Sequence, residues 1–488
     1  PLRLKQGCKY YRYGKRWYHE KEFGMQEIVN RFAALRHDLL TQDRRFTSKD
    51  GQLCFDGAKL DTLAKKYGTP LYVFSEKEIA RNIQEILRAV SVYAKSRVFY
   101  AAKACSVLAI LRIVKDQGIG VEANSLFELM KAFEAGFTGN EIVFNGVVKT
   151  RADLEYAISH DLYLINVDSL YELRLVDQIS RELKKTAAVC IRVEPSVQSP
   201  THPGLVTAYH AKAGIDLQDA EEAVRMSLGM PFVRVRGLSM HVGDQIPTTA
   251  PFAEAARILV QESKRLEKLF DLNFDVIDVG GGIPVPYKYD TENGNPLKDH
   301  MCCPVTSEDF AEAIIQEVKK WRDDVDIILE PGRKIPSSAG VLLTTVCGHK
   351  KKTNFDAQGN AEKVVDWRFC DAGFNVMTDA FMYGWFFYLY NASRISEPHD
   401  HRVKIAGPLC DGGDYLHVGL IGEEFLLPVI TTEGDVLALL DTGAYSIETQ
   451  SVYNSRPRTA VVLIGKEGKD RVVRRADRYE DLISSERV

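Results

Sequence analysis

The sequence has little cysteine: nine in 488 residues, at positions 8, 54, 105, 190, 302, 303, 347, 370 and 410, none in a C-x-x-C pair. That spread excludes a disulfide scaffold and leaves no zinc-ligand spacing, so no metal site is expected. The thiols read as buried small hydrophobes in a reducing compartment, the cytoplasm. Cys302–Cys303 reads as a loop accident rather than a redox pair. Excess charge is also lacking: a net charge of -4 gives no field suited to nucleic acid or an anionic membrane. No apolar run approaches the roughly 20 residues of a membrane span. The N-terminus is basic and aromatic, without the apolar core of a secretory signal. Internal repeats and low-complexity segments are missing too.

What is present is an ordinary globular composition, 45% hydrophobic and 27% charged, in a length that suits two domains. Residues 1–24, PLRLKQGCKYYRYGKRWYHEKEFG, stand apart, rich in Lys, Arg, Tyr and Trp without a clear period. They read as a disordered or non-native extension, with a basic-aromatic nucleic-acid arm as the alternative. A helical pattern starts at Met25 and continues through Ile28, Val29, Phe32, Leu35, Leu39 and Leu40. Residues 1–45 are therefore expected to form an extension and helix, and residues 46–72 a segment joining a later β domain.

From 73 to 337 short apolar runs alternate with helical stretches. Leu71–Phe74 opens the rhythm as a strand; Arg97–Ala101, Gly120–Glu122, Glu141–Phe144, Leu162–Asn166, Ala188–Val193, Val235–His241, Val276–Val279 and Ile327–Glu330 follow. Around eight such parallel units predict an α/β fold, a (β/α)8 barrel of the TIM type, with a doubly wound sheet as the rival. After about 338 helices become scarce and turn-separated strands take over, which predicts a mostly β domain over 338–488.

In a parallel barrel, chemistry sits where strands end. Lys103 closes an apolar strand in Phe99-Tyr-Ala-Ala-Lys-Ala-Cys-Ser106 and is either an amine nucleophile or a lysine whose head reaches solvent. Asp278-Val-Gly-Gly-Gly282 and Glu330-Pro-Gly-Arg333 each follow a strand. Glycine exposes backbone N–H groups and arginine adds a charged fork, so together they suit a phosphate. His241 stands at another strand end, and Tyr445 follows Gly443 in the β domain. A lysine, a phosphate cradle, a histidine and a carboxylate on one rim point to pyridoxal 5'-phosphate, which needs an aldehyde partner, an anion anchor and control of its pyridine nitrogen.

These motifs, with FNGVVK (144–149), HVGDQ (241–245), GGGIPVPYKYD (280–290) and GPLCDGGDY (407–415), resemble the fold-type III pyridoxal-phosphate decarboxylases, the diaminopimelate and ornithine decarboxylase family. The resemblance spans about 45–485 and is strongest to the bacterial branch acting on D-ornithine and D-lysine. It implies an alanine racemase-like barrel with a C-terminal β domain. It also implies a homodimer with shared active sites, a small amino-acid substrate, and no nucleic-acid or membrane partner. By position, Lys103 matches the Schiff-base lysine and Glu122 an acidic residue beneath the cofactor. Arg192 matches a supporting arginine, His241 the residue stacked on the pyridine ring, and Glu330 the partner of the pyridine nitrogen. Gly282, Gly332, Arg333 and Tyr445 match the phosphate site, with Arg333 also reaching substrate. Cys410, lent to the other subunit, matches the proton donor to Cα, a role that suits a thiol because its ordinary pKa lies near neutrality.

Three departures bear on substrate. The residue after His-Val-Gly, commonly a phosphate-binding serine in the family, is Asp244, and two anions side by side repel, so Asp244 is not assigned to phosphate. The family's Arg-Pro-x-Leu-Tyr element, whose arginine grips the distal carboxylate of diaminopimelate, is matched to Phe386-Phe-Tyr-Leu-Tyr390: Tyr390 is kept and the arginine becomes Phe386. Cys410-Asp411-Gly412 follows the ornithine enzymes, in which the aspartate holds a distal ammonium, and Asn391 takes the place of their second aspartate. The resemblance therefore implies decarboxylation of D-ornithine or D-lysine to putrescine or cadaverine. Alternatives are meso-diaminopimelate decarboxylation to L-lysine, or a non-catalytic homologue that binds a partner enzyme.

Overall fold

The computed structural model describes residues 8–13, 16–21, 25–288 and 300–487. The last two residues of GGGIPVPYKYD lie outside them. Within the N-terminal extension, Cys8–Tyr13 and Arg16–Lys21 pair as antiparallel strands. Order there departs from the expectation of a patternless extension. Aromatic residues favour strands, and both segments are rich in them.

Eight parallel strands close into a barrel. In chain order they are β1 (Ser96–Ala101), β2 (Gly120–Ala123), β3 (Ile142–Phe144), β4 (Leu164–Val167), β5 (Ala187–Glu194), β6 (Val233–Ser239), β7 (Val276–Asp278) and β8 (Asp326–Leu329). Each pairs with the next, and β8 returns to β1 through Ile327↔Ser96, Ile328↔Arg97 and Leu329↔Val98. That closure rules out the doubly wound sheet, whose edges stay open. Phe99, Val143, Leu164, Cys190, Val276 and Ile328 fill the lumen as one apolar cluster, so the barrel is packed shut and only its strand ends can hold a ligand.

Helices cover the outside after β1 to β7, from Leu108–Asp116 to Ser307–Lys319. The remaining position is taken by Glu76–Val90, which packs between those two helices although it precedes β1. Its N-terminus is capped by Ser75, whose Oγ accepts the Glu78 N–H at 3.1 Å. Ile79, Ile83, Ile86 and Val90 form its buried stripe.

This arrangement explains where Leu71–Ser75 goes. Expected to open the barrel, it instead pairs antiparallel with Gly340–Leu343 and parallel with Ala460–Ile464, inside the β domain. Leu71 and Val73 face that domain's core, while Tyr72 and Phe74 face the barrel side. A strand buried on both faces reads as a continuous apolar run in either setting. The β domain is built around Gly340–Phe355, which also pairs with Ala361–Cys370 and Val436–Leu439. A small sheet of Phe46–Lys49, Gln52–Phe55 and Ala58–Lys59 and the helix Met25–Thr41 pack on it. Phe32 of that helix stacks on Tyr390 with centroids 5.1 Å apart. Among the described residues no helix is long and apolar enough to cross a membrane.

Candidate active site

Lys103 sits in a tight turn, Ala102–Ala104, just past β1. Its neighbours Ala101, Ala102, Ala104 and Cys105 are buried and it is exposed, so the turn pushes one long side chain out of the packed rim. The turn is pinned from several sides. Ala101 N–H donates to the Pro331 carbonyl at 3.1 Å and Tyr445 N–H to the Ala104 carbonyl at 2.7 Å; Tyr100 Oη donates to the Cys105 carbonyl at 3.0 Å. The ammonium charge of Lys103 is felt by Glu122, His241 and Glu330, which places all four groups around one space.

The floor of that space is acidic. Glu122, next to last in β2, is 1% exposed, and neither carboxylate oxygen has a hydrogen-bond partner. Burial raises its pKa, and the Lys103 charge opposes the rise. Asp278 ends β7, accepting Asn166 Nδ2 at 2.6 Å and the Gly280 N–H at 2.9 Å; burial pushes it up to about 6. Glu330 follows β8. Its Oε2 accepts Asn145 Nδ2 at 2.8 Å, and its Oε1 is buried without a partner. Burial, then the charges of Asp278 and Glu122, hold its pKa well above the usual carboxylate range. Asn166 Nδ2 also donates to Asn145 Oδ1 at 2.6 Å, so two amides tie the carboxylates of separate strands into one network.

His241 lies just past β6. The Gly281 N–H donates to its Nδ1 at 3.2 Å, which leaves the ring proton on Nε2. Burial, then the charges of Lys103 and Arg192, hold its pKa well below 6.5, so the ring is neutral. The glycines let the loops meet: a Cβ on Gly281 would stand 2.1 Å from the Glu330 carbonyl, and one on Gly282 (φ +101°) 2.1 Å from the Gly243 carbonyl. No L side chain fits either place.

Arg333 is 5% exposed and sits in a cage. The ring centroids of Trp385 and Tyr445 lie 4.1 and 4.5 Å from its guanidinium carbon, and Tyr287 Oη accepts from Nη1 at 3.2 Å. Asp244 accepts Nε at 2.8 Å and Nη2 at 2.6 Å on one oxygen. Asp244, the residue after His-Val-Gly, therefore neutralises Arg333. Tyr445 holds φ +66°, a left-handed conformation uncommon outside glycine; it places the ring over Arg333 and the hydroxyl beside Gly332. Arg192, from β5, stands 4.0 Å from Asp168 and close enough to His241 for its charge to help keep that ring neutral. Lys149 offers a contrast to Lys103. It is buried and fully engaged by Glu172 and the Asn166 and Gly146 carbonyls at 2.7 to 2.8 Å, which is a structural role.

Three expected substrate residues lie elsewhere. Phe386 (2% exposed) and Tyr390 are buried in the β-domain core with Tyr388. Asn391, fully buried, donates to Thr431 Oγ1 and Asp435 at 3.0 and 3.1 Å. The reason is alternation: Trp385 and Phe387 pack on the barrel side, and Phe386, Tyr388 and Tyr390 on the opposite side. Trp385, which the sequence did not single out, is the residue of this stretch that meets the site. Cys410 and Asp411 are exposed. The Cys410 N–H donates to Asn454 Oδ1 at 2.7 Å, and Asp411 accepts from Gly413 N–H at 2.8 Å and Tyr453 Oη at 3.3 Å. Their neighbours belong to this outer loop and not to the Lys103 cluster. Sequence reasoning also missed Asn145, although it lies in the quoted FNGVVK, and Asn166, which ends a predicted strand.

The residues fit pyridoxal phosphate. An exposed amine stands among buried groups, a buried carboxylate oxygen lacks a donor, and glycine loops converge beside an arginine. Comparison with known proteins agrees. Residues 76–337 match the family model "Pyridoxal-dependent decarboxylase, pyridoxal binding domain", and the chain belongs to that family. It is a pyridoxal-phosphate-dependent amino-acid decarboxylase with a racemase-type barrel and a sheet-rich C-terminal domain. The diaminopimelate decarboxylase of Methanocaldococcus jannaschii is 34% identical over 90% of this chain and 96% of that protein. That of Archaeoglobus fulgidus is 33% identical over 91% and 99%. The crystal structure of the M. jannaschii enzyme in complex with L-lysine superposes with a TM-score of 0.79 at 33% identity, covering 91% of this chain and 98% of that one.

Proposed function

We propose that the chain decarboxylates a basic D-amino acid, D-lysine or D-ornithine, to cadaverine or putrescine. The relatives' names favour the other reading, meso-diaminopimelate. The two readings are chemically close. Converting meso-diaminopimelate to L-lysine removes the carboxylate of its D-configured centre. D-Lysine is that molecule with hydrogen in place of the distal carboxylate. Both readings share a reacting centre and differ at the far end.

The observation that carries the basic reading is the Arg333–Asp244 pair. A distal carboxylate needs a cation with free N–H donors, or its desolvation goes uncompensated. Arg333 directs two of its donors at Asp244 and a third at Tyr287. A second feature points the same way. The family element Arg-Pro-x-Leu-Tyr has its tyrosine four residues after the arginine; with Phe386–Tyr390 in the β core, that spacing is met by Asp379 and Tyr383. Asp379 is buried, its Oδ1 has no partner, and burial lifts it to about 6 against the opposing charge of Arg333. A carboxylate in that position suits a distal ammonium.

Bound pyridoxal phosphate supplies the electron sink for the pair left at Cα when carbon dioxide departs. Lys103 is the amine placed to bind its aldehyde carbon. Glu330 would hold the cofactor's pyridine nitrogen, and His241, as a neutral imidazole, would line the same space. Gly282, Gly332, Tyr445 and the loops they close would hold its phosphate, with Glu122 and Arg192 in support. We infer a homodimer with shared sites, because Cys410 and Asp411 stand exposed and apart from their own chain's cluster; Cys410 of the partner subunit then protonates Cα, and Asp411 of the partner subunit receives the distal ammonium. Cys54, Cys105, Cys190, Cys347, Cys370 and Cys410 are free thiols, which supports a reducing, cytoplasmic setting. A carbon dioxide release panel over both enantiomers of lysine and ornithine, with meso-diaminopimelate, tests the reading. Release from meso-diaminopimelate alone would select the second one.

A further inference from the structure

Two residues past Ala104 the barrel meets the β domain again. Ser106 N–H donates to Glu448 Oε1 at 2.7 Å, and Ser106 Oγ to Glu448 Oε2 at 3.0 Å. Lys131 Nζ donates to the same Oγ, so ammonium, hydroxyl and carboxylate run in line. Glu448 belongs to a single turn in which its own N–H and that of Thr449 return to the Tyr445 carbonyl at 3.0 and 3.1 Å. Tyr445 N–H holds the Ala104 carbonyl at 2.7 Å. One β-domain turn thus grips the chain at 104 and at 106, directly after Lys103. Ser106 is buried and Glu448 exposed, so the anchor is on the barrel and the clamp comes from outside.

We propose that Glu448 is a positioning residue for Lys103: it latches the lysine's turn to the β domain, so that the amine's placement depends on domain docking. The proposal rests on the reading of Lys103 as the cofactor-binding amine. Glu448 touches neither that amine nor the acidic floor; it acts through Ser106. A carboxylate accepting two donors, one backed by an ammonium, is a charge-assisted pair and is strong for its size. Removing it leaves the buried Ser106 N–H without its acceptor and loosens residues 104–106, which keep the bonds of Tyr445 to Ala104, Tyr100 to Cys105 and Lys131 to Ser106. The carboxylate also lies at the start of the helix Leu108–Asp116, where a negative charge is favourable. That local contribution is the competing, purely structural role, and it makes no demand on Lys103.

The test uses the cofactor-bound protein and four variants. Glu448→Ala is expected to lower kcat about tenfold with KM changed less, and to move the pH midpoint of the cofactor's visible-edge absorbance by about half a unit or more, because the amine shifts relative to Glu330 and His241. Amide exchange is expected to rise about tenfold at 102–106 while Ser96–Ala101 keeps its protection. Glu448→Gln, which still accepts from the Ser106 N–H, is expected to recover to within about threefold of the parent. If Glu448→Ala fails to fold, Ser106→Ala reports the same shifts at smaller size. An unchanged absorbance midpoint and unchanged local exchange would overturn the proposal, as would a uniform loss of stability with kcat intact. If the midpoint is instead absent because no band forms in the parent or is lost only in Lys103→Ala, the exchange data still decide the latch, while the reading of Lys103 is decided by the band.

Discussion

Replacing Asp244 with serine perturbs the site at the point that decides the substrate reading. Asp244 accepts two donors of an arginine that is 5% exposed. Breaking a buried ion pair from one side costs about 3–5 kcal/mol, since the surviving charge is left uncompensated. Arg333 keeps the Tyr287 hydroxyl and the faces of Trp385 and Tyr445, worth about 1–2 kcal/mol together. The net loss is therefore expected at about 2–3 kcal/mol, visible as a lower urea midpoint in the cofactor-free protein. The same change frees two N–H donors toward the site. A substrate carboxylate that takes them gains about 1.5–3 kcal/mol, so kcat/KM for meso-diaminopimelate relative to D-lysine is expected to rise about 10- to 150-fold. A ratio cancels any change in cofactor loading. Unchanged stability together with an unchanged ratio would refute the view that Asp244 neutralises Arg333.

Other outcomes follow from the site. Lys103→Ala is expected to abolish the cofactor band and turnover while leaving the far-ultraviolet dichroism intact. The His241 ring, buried beside Lys103 and Arg192, should show no titration between about pH 5.5 and 8 by NMR; a midpoint in that window contradicts its neutral assignment. Asp278 rises from 3.8 to about 6 on folding, so its contribution to stability is present below about pH 4 and lost as pH passes about 6. That loss is on the order of 2–3 kcal/mol, and Asp278→Asn should flatten it in cofactor-free urea titrations. Mixing inactive Lys103→Ala and Cys410→Ala subunits should restore about a quarter of parental activity, since half the dimers are mixed and each carries one complete site; no recovery argues against shared sites.

The parts of the site that the sequence displayed are those written at single strand ends. Lys103, His241, Glu330 and Arg333 each follow a recognisable apolar run, and the barrel's period placed them on one rim. What joins them is not local. Asn145, Asn166 and Asp278 come from three strands, and no spacing along the chain reveals that two amides knit the carboxylates together. The misplaced element has a similar cause. Leu389-Tyr390 is the literal Leu-Tyr pair and Met382-Tyr383, seven residues earlier, differs from it by one residue; only the pairing of Leu389–Asn391 with Val436–Leu439 and the burial of alternate side chains show which face each takes. Leu71–Ser75 was misassigned because a strand buried on both faces carries no sign of which domain owns it.

The most direct measurement of the account is carbon dioxide release by the purified, cofactor-loaded protein from D-lysine, D-ornithine, their L-enantiomers and meso-diaminopimelate at matched concentrations. The predicted result is release from D-lysine or D-ornithine at a kcat/KM above that for meso-diaminopimelate, with none from the L-enantiomers. Release confined to meso-diaminopimelate, or to L-ornithine or L-lysine, contradicts it.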